Sequence, residues 1–305
     1  MKPTVLLSHE MLAALEGALS GSYEVLKRWE TPDLSDVQAI VHAGEFVLEP
    51  AFLATMPRLG LIACVSVGYD GVPVDWCAEH GVAVTHSVGI NADDVADVAV
   101  GSLIGVWRGL FEGDRRLREG RWTHADRMRP RPSLKGKKVG IVGLGHIGEA
   151  VARRVEAMGM VVSWWGPRPK EARWPRADSL LQLAQSSDVL AVCCKADASN
   201  RRLISREVIA ALGPRGCLVN VSRGSVVDED ALIAALKDGR LGMAALDVFE
   251  TEPTPAGRWA DVPNTVLTPH MAGGTLESIP LMVGQTLENL RRFFAGEPLA
   301  TPVQA

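Results

Sequence analysis

The chain has 305 residues, 32 basic against 36 acidic, a net charge of −4 and 47% hydrophobic residues. This near-balance offers no broad cationic field for nucleic acid or an anionic membrane, so the expected partner is a small molecule, and about 150 residues per domain gives two domains. Cys64, Cys77, Cys193, Cys194 and Cys217 form no CxxC pair, which argues for reduced thiols and against a disulfide framework or a metal site. Ser8, His9 and Glu10 interrupt the first apolar stretch too early for a secretory signal, and no long apolar span exists, so a cytoplasmic protein is expected.

In chain order, short β-rich runs at residues 4–7, 39–42, 61–65 and 82–85 alternate with helical patterns, and the alternation resumes after residue 138. There the strand candidates are 138–142, 161–165, 189–193, 217–220, 244–247 and 265–267. Six such runs separated by helices suit a doubly wound parallel sheet of the Rossmann type.

Between the halves, Asn91 is placed to cap a helix starting near Ala92, with Asp93 and Asp94 in its first turn and Val95, Val98, Leu103, Val106 and Leu110 on its apolar side. Gly101, Gly105 and Gly109 form a small-residue stripe on it, expected to permit close packing against the cofactor domain or a second subunit. The Arg-rich stretch from Arg115 to Arg131 is interrupted by acids and reads as a solvated helix face and loop.

Gly143 to Gly148 reads GLGHIG, after an apolar strand and before a helix. In that context, with the helix expected from Glu149 to Met158, Gly143 makes the tight turn, Gly145 admits a pyrophosphate, His146 and Ile147 are counted with them in the cofactor-binding set, and Gly148 allows close helix–strand packing. His146 itself reads as a variable turn position. About 20 residues on, where an acid normally binds the adenosine ribose of NAD, the chain has Trp164, Trp165, Gly166, Pro167 and Arg168. No carboxylate is there to repel a 2′-phosphate, and Arg168 is placed to pair with it, so NADP(H) is expected to be preferred, with NAD(H) possible.

Three later segments, NVSRGSVVDE (220–229), LDVFETEP (246–253) and TPH (268–270), supply one arginine, one carboxylate and one histidine. Beside a dinucleotide fingerprint they point to hydride transfer on a carboxylated substrate.

With VSVGYDGV (65–72), DDVADVAV (93–100) and VGIVGLGHIGEAVARR (139–154), these segments make the chain resemble the D-2-hydroxyacid dehydrogenase family, especially its glyoxylate/hydroxypyruvate reductase branch. The resemblance covers nearly the whole length. It implies a smaller flavodoxin-like α/β substrate domain made from residues 1–95 and 277–305, an NAD(P)-binding domain at 96–276, an active cleft between them and a homodimer.

By resemblance, Arg223 binds the substrate carboxylate and polarises the carbonyl, His270 is the acid/base, and Glu252 orients it, with Glu250 the competing carboxylate. A carboxylate beside imidazole favours the charged form, which keeps the acid loaded near neutral pH. The other six histidines read as surface or core residues. Val67 and Gly68 are expected to present backbone amides to the substrate carboxylate as an anion nest, with Tyr69 and Asp70 stabilising the turn. Gly166, Cys194, Ser222, Asp247 and Gly273 complete the expected cofactor-binding set, Asp247 near the nicotinamide carboxamide.

The chain departs from the family pattern at Lys195, where proline is usual, and at Ala92, where threonine is common. The arm expected to reach a neighbouring subunit falls at 120–132, with Trp122, Arg127 and Met128 as pocket candidates, and Met271 follows the histidine. Glu252 disfavours formate dehydrogenase, which has glutamine there. The missing ribose-binding acid counts against the mainly NAD-linked serine-biosynthetic and phosphite members. The reaction expected is NADPH-dependent reduction of glyoxylate and hydroxypyruvate to glycolate and D-glycerate. The alternatives are a reductase of phenylpyruvate, hydroxyphenylpyruvate or 2-ketogluconate, and a nucleotide-sensing binding protein.

Overall fold

The computed structural model describes residues 2–128 and 130–303. It divides into two compact units, Met1–Asn91 with Thr275–Ala305, and Ala92–Gly274. Each is a parallel-sheet α/β structure, as the alternation of strands and helices predicts.

The first unit holds β1 (Thr4–Leu7), β2 (Glu24–Lys27), β3 (Val37–His42), β4 (Leu61–Cys64) and β5 (Ala83–Thr85), all parallel, in the order β2-β1-β3-β4-β5. This is the flavodoxin-type order. Successive residues alternate between two cores: Leu6, Ile40 and Ile62 pack on one face, and Val5, Val41 and Ala63 on the other. Burial on both faces explains why these strands read as continuous apolar runs. Strand β2 is absent from the sequence reading because it lies at the edge, partly exposed, with Glu24 and Lys27 at its ends.

The second unit holds β6 (Lys138–Val142), β7 (Val161–Trp165), β8 (Val189–Val192), β9 (Cys217–Asn220), β10 (Met243–Leu246) and β11 (Thr265–Leu267). They form one parallel sheet in the order β11-β10-β9-β8-β6-β7. All six correspond to predicted runs, with ends differing by at most one residue. A lone parallel bridge between Trp164 and Arg176 continues the sheet beyond β7. No run of apolar residues announces it.

The longer helices are α1 (Ala92–Arg108), α2 (Leu110–Arg118), α3 (His146–Ala157), α4 (Glu229–Lys237) and α5 (Ser278–Ala295). In the second unit α1 packs along α3, with Val95, Ala96, Ala99 and Val100 in the same core as Ala150, Val151 and Val155. Helix α5 belongs to the first unit. Its Leu287, Leu290, Phe293 and Phe294 cover the Val5/Leu7 face of that sheet, and the Phe293 ring would meet a Cβ at Gly60 at 2.7 Å.

The glycines of α1 sit in three different settings. A Cβ at Gly101 would meet no atom of this chain within 4 Å. Gly105 receives the Phe111 ring of α2, at 2.4 Å from a built Cβ, and Gly109 ends the helix with φ +65°. A left-handed glycine just past a helix is a standard terminator, so the chain turns into α2 and leaves Leu110 outside α1. Helix α2 has no buried residue, and its arginines pair with acids, among them Arg118 with Asp114 at 2.9 Å and Arg116 with Asp126 at 2.8 Å. This is the solvated face expected.

Candidate active site

The carboxyl ends of the second unit's strands carry the expected residues in spatial order. From β11 to β7 the sheet edge leads to His270, Asp247, Arg223, Cys194, Gly143 and Gly166. Ligands of open parallel sheets bind along this edge, near the point where strand order reverses, here beside β6.

The fingerprint turn has the shape a pyrophosphate needs. Gly143 has φ +86° and packs on Cys194, whose Cα would lie 2.5 Å from an added Cβ. A Cβ at Gly148 would sit 2.1 Å from the Gly143 carbonyl oxygen, so α3 can close on β6 only through glycine. Gly145 caps α3 with no side-chain hydrogen bond to the first-turn amides, and a Cβ there would meet nothing within 4 Å. Open donors under open space fit an anion at a helix N-terminus. Ser222 lies alongside, donating from Oγ to the Cys194 carbonyl at 2.5 Å. Burial pushes the Cys194 thiol up to about 11, so it is a neutral packing group. Arg168 is exposed in the turn after β7.

At the other end of the edge, His270 Nδ1 lies 2.6 Å from Glu252 Oε2. The second oxygen of Glu252 accepts the Phe249 N–H at 2.8 Å, which fixes the carboxylate. The hydrogen bond that His270 donates to Glu252 holds the imidazole above its usual range, outweighing burial and the nearby Arg223 charge. Burial pushes Glu252 upward, but the bonds to His270 and Phe249 and the charges of His270 and Arg223 leave it below the usual carboxylate range. The pair therefore favours imidazolium with carboxylate. Glu250 is turned away, its Oε1 2.5 Å from Arg201, so the competition between the two glutamates falls to Glu252.

Arg223 is half-buried, in extended backbone before a short 3-10 turn (Gly224–Val226), and Nη1 donates to the Ser222 carbonyl at 2.8 Å. Gly224 brings this turn against the Phe249–Glu252 loop: a Cβ there would lie 1.8 Å from the Phe249 carbonyl carbon. Buried Glu229, at the start of α4, accepts the Glu250 N–H at 2.8 Å and pairs with Arg258 at 2.8 Å. Sequence reading placed Glu229 in a motif but gave it no role. Its neighbour Asp228 caps α4 in the usual way.

Asp247, 3% exposed, accepts from Thr268 Oγ1 at 2.5 Å, from Met271 N at 3.1 Å and from Ala272 N at 3.0 Å. Its carboxylate clamps the loop that carries His270, a function the sequence reading did not assign. Gly273 follows in the same turn, half-buried, and Met271 is 54% exposed.

In the first unit the VSVGYDG turn follows β4. The Val67 carbonyl accepts from His86 Nδ1 and the Gly68 carbonyl from Ser66 Oγ, both at 2.8 Å, while no described acceptor takes either residue's amide. The carbonyls are tied back and the donors left open, as an anion nest requires. His86, read as a surface or core histidine, thus holds the Val67 carbonyl; a carbonyl partner requires the proton on Nδ1. His42 is likewise structural: Nε2 donates to the Phe46 carbonyl at 3.0 Å, so Nδ1 accepts from Ser8 Oγ at 2.8 Å, and both side chains are buried.

In the 120–132 arm, Trp122 and Arg127 are exposed, whereas the side chain of Met128 and the whole of residue 129 lie outside the described residues. Among the described residues there is no group of three metal-ligating side chains, and no helix is long and apolar enough to cross a membrane.

Residues 100–272 match the profile of the D-isomer specific 2-hydroxyacid dehydrogenase, NAD binding domain. The chain is 37% identical to hydroxyphenylpyruvate reductase of Plectranthus scutellarioides and 35% identical to glyoxylate/hydroxypyruvate reductase A of Arabidopsis thaliana, in each case over 98% of both chains. Its structure is similar to that of the NADPH-dependent glyoxylate/hydroxypyruvate reductase of Sinorhizobium meliloti, solved in complex with NADP and malonate. That match has a TM-score of 0.92 at 34% identity, covering 99% of this chain and 97% of the other.

Proposed function

The chain belongs to the D-isomer specific 2-hydroxyacid dehydrogenase family, and we propose that it reduces small 2-oxoacids, glyoxylate and hydroxypyruvate first, with NADPH, to glycolate and D-glycerate. The observation that carries this reading is the 2.6 Å His270–Glu252 pair, beside Arg223 and on the same sheet edge as the GLGHIG turn. When bound, the reduced nicotinamide supplies a hydride to the carbonyl carbon. His270 Nε2 donates the proton that the carbonyl oxygen takes up, and Glu252 keeps that proton in place beforehand. Arg223 holds the planar carboxylate and stabilises the negative charge developing on the oxygen, an effect greatest in the transition state. The open amides of Val67 and Gly68 are the further donors proposed for the carboxylate. Residues 1–95 with 277–305 are read as the substrate domain and 96–276 as the cofactor domain.

Arg168, without an acid at the end of β7, supports NADPH over NADH. Arg168→Ala should weaken NADPH far more than NADH, and equal losses would remove the assignment. The exposed Leu110, Phe111 and Leu117 of α2 favour a homodimer, which sedimentation would test. Five free cysteines suit a cytoplasmic location.

The test of the reaction is absorbance-monitored oxidation of NADPH and NADH with glyoxylate, hydroxypyruvate, phenylpyruvate and 2-ketogluconate at matched concentrations. Fast NADPH loss with the two smallest acids is the expected result. The similarity to a hydroxyphenylpyruvate reductase favours one second reading, a bulkier substrate, and preference for phenylpyruvate would establish it. No turnover with any acid would instead favour a nucleotide-sensing protein.

A further inference from the structure

The segment between β7 and the Trp164–Arg176 bridge carries four cations: Arg168, Lys170, Arg173 and Arg176. Two are neutralised by α3. Lys170 Nζ lies 2.6 Å from Glu149 Oε1 and Arg173 Nη2 lies 2.8 Å from Glu156 Oε2, which pins the segment to the fingerprint helix. Arg168 and Arg176 have no carboxylate partner among the described residues.

Arg176 stands in register with Trp164, and its guanidinium lies over that ring, 5.8 Å from the centroid. From there it reaches towards the strand's carboxyl end and donates from Nη2 to the Gly166 carbonyl at 2.8 Å. Gly166 is the first residue after β7 and lies two before Arg168. A guanidinium has five N–H donors in a fixed fork, so one bond to Gly166 leaves others for an anion at the same turn. The bond also draws the Gly166 carbonyl, whose oxygen would repel a phosphate, onto a cation.

We propose that Arg176 is a second specificity-determining residue for the dinucleotide, binding with Arg168 the 2′-phosphate monoester of an adenosine ribose. This rests on the NADPH reading above. Because Arg176 comes from the neighbouring sheet position rather than from the turn itself, it supplies a second positive charge without adding a flexible side chain to the turn.

The experiment is calorimetric titration of the protein with NADP+, NAD+, 2′,5′-ADP and 5′-AMP, using wild type, Arg168→Ala, Arg176→Ala and Arg176→Gln. Loss of a charge-assisted contact predicts that Arg176→Ala weakens NADP+ and 2′,5′-ADP about tenfold while NAD+ and 5′-AMP stay within about twofold. Arg176→Gln, which can still donate to the Gly166 carbonyl, should lose as much, because the charge is gone. Retention of NADP+ affinity by Arg176→Gln, or an equal loss of all four ligands in Arg176→Ala, overturns the proposal. Wild type binding NADP+ no tighter than NAD+ would remove the NADPH reading and this inference together. A selective wild type whose preference falls in Arg168→Ala but not in either Arg176 variant would remove only the role of Arg176.

Discussion

Asp247 accepts the backbone N–H of His270 on its own carbonyl at 2.8 Å, and its carboxylate holds the residues on both sides, Thr268 before and Met271 and Ala272 after. His270 needs that support because its backbone is left-handed, with φ +50°. For a residue with a Cβ this conformation costs on the order of 1–3 kcal/mol, so it persists only where surrounding bonds impose it.

Asp247→Ala is therefore expected to lower both stability and turnover. The Met271 and Ala272 amides would lose a buried acceptor, at about 1–3 kcal/mol each. The measurement is thermal unfolding alongside kcat. An unchanged melting temperature would show that the clamp contributes nothing.

The His270–Glu252 pair predicts the pH dependence of reduction. His270 is held above its usual range by Glu252. The stabilising charged pair is then fully present below the unfolded-state value of about 6.5 and is lost as pH rises through the elevated folded value. Reduction should fall over the same rise, since the proton donor is lost. Glu252→Gln should move that fall to lower pH, and His270→Ala should reduce kcat about 10²–10⁴-fold. A pH profile unmoved in Glu252→Gln would separate the glutamate from the acid.

Two fingerprint glycines should behave differently when given a methyl group. Gly145→Ala meets open space and should melt near wild type yet bind dinucleotide poorly, since the methyl enters the pyrophosphate's approach. Gly148→Ala drives into the Gly143 carbonyl at 2.1 Å and should lose stability as well as binding. Melting curves with and without NADP+ distinguish them. Tight binding by Gly145→Ala would place the pyrophosphate elsewhere.

His42 should make the first unit sensitive to acid. Burial, with lesser contributions from the Arg28 and His9 charges, outweighs the Phe46 hydrogen bond and lowers it from 6.5 to about 4. The folded state holds it neutral, so its stabilising contribution is complete above about pH 6.5 and is lost as pH falls through about 4. At about 1.4 kcal/mol per pH unit, that interval is worth roughly 3 kcal/mol. Denaturant unfolding across this range should show the loss, and His42→Gln, which takes up no proton there, should flatten it. An equal slope in the variant would clear His42.

The strands and the candidate site were legible in different ways. Both-face burial makes β6, β8, β9 and β10 nearly continuous apolar runs, so local composition determined them, and the GLGHIG turn was readable because close approach admits only glycine. Neither signal exists for β2 or for the Arg176 bridge, whose charged, exposed residues join a sheet only through neighbours distant in sequence. The resemblance likewise named Arg223, Glu252 and His270. Tertiary structure decided what supports them: the Phe249 N–H that fixes the Glu252 carboxylate, the Asp247 clamp, Glu229 with Arg258 behind the Glu252 loop, and His86 behind Val67. Each of these depends on which backbone amide or carbonyl a polar group meets across the fold. Hydrogen-bond partners are fixed by three-dimensional packing within a few tenths of an ångström, whereas a strand's apolar pattern is carried by the strand itself.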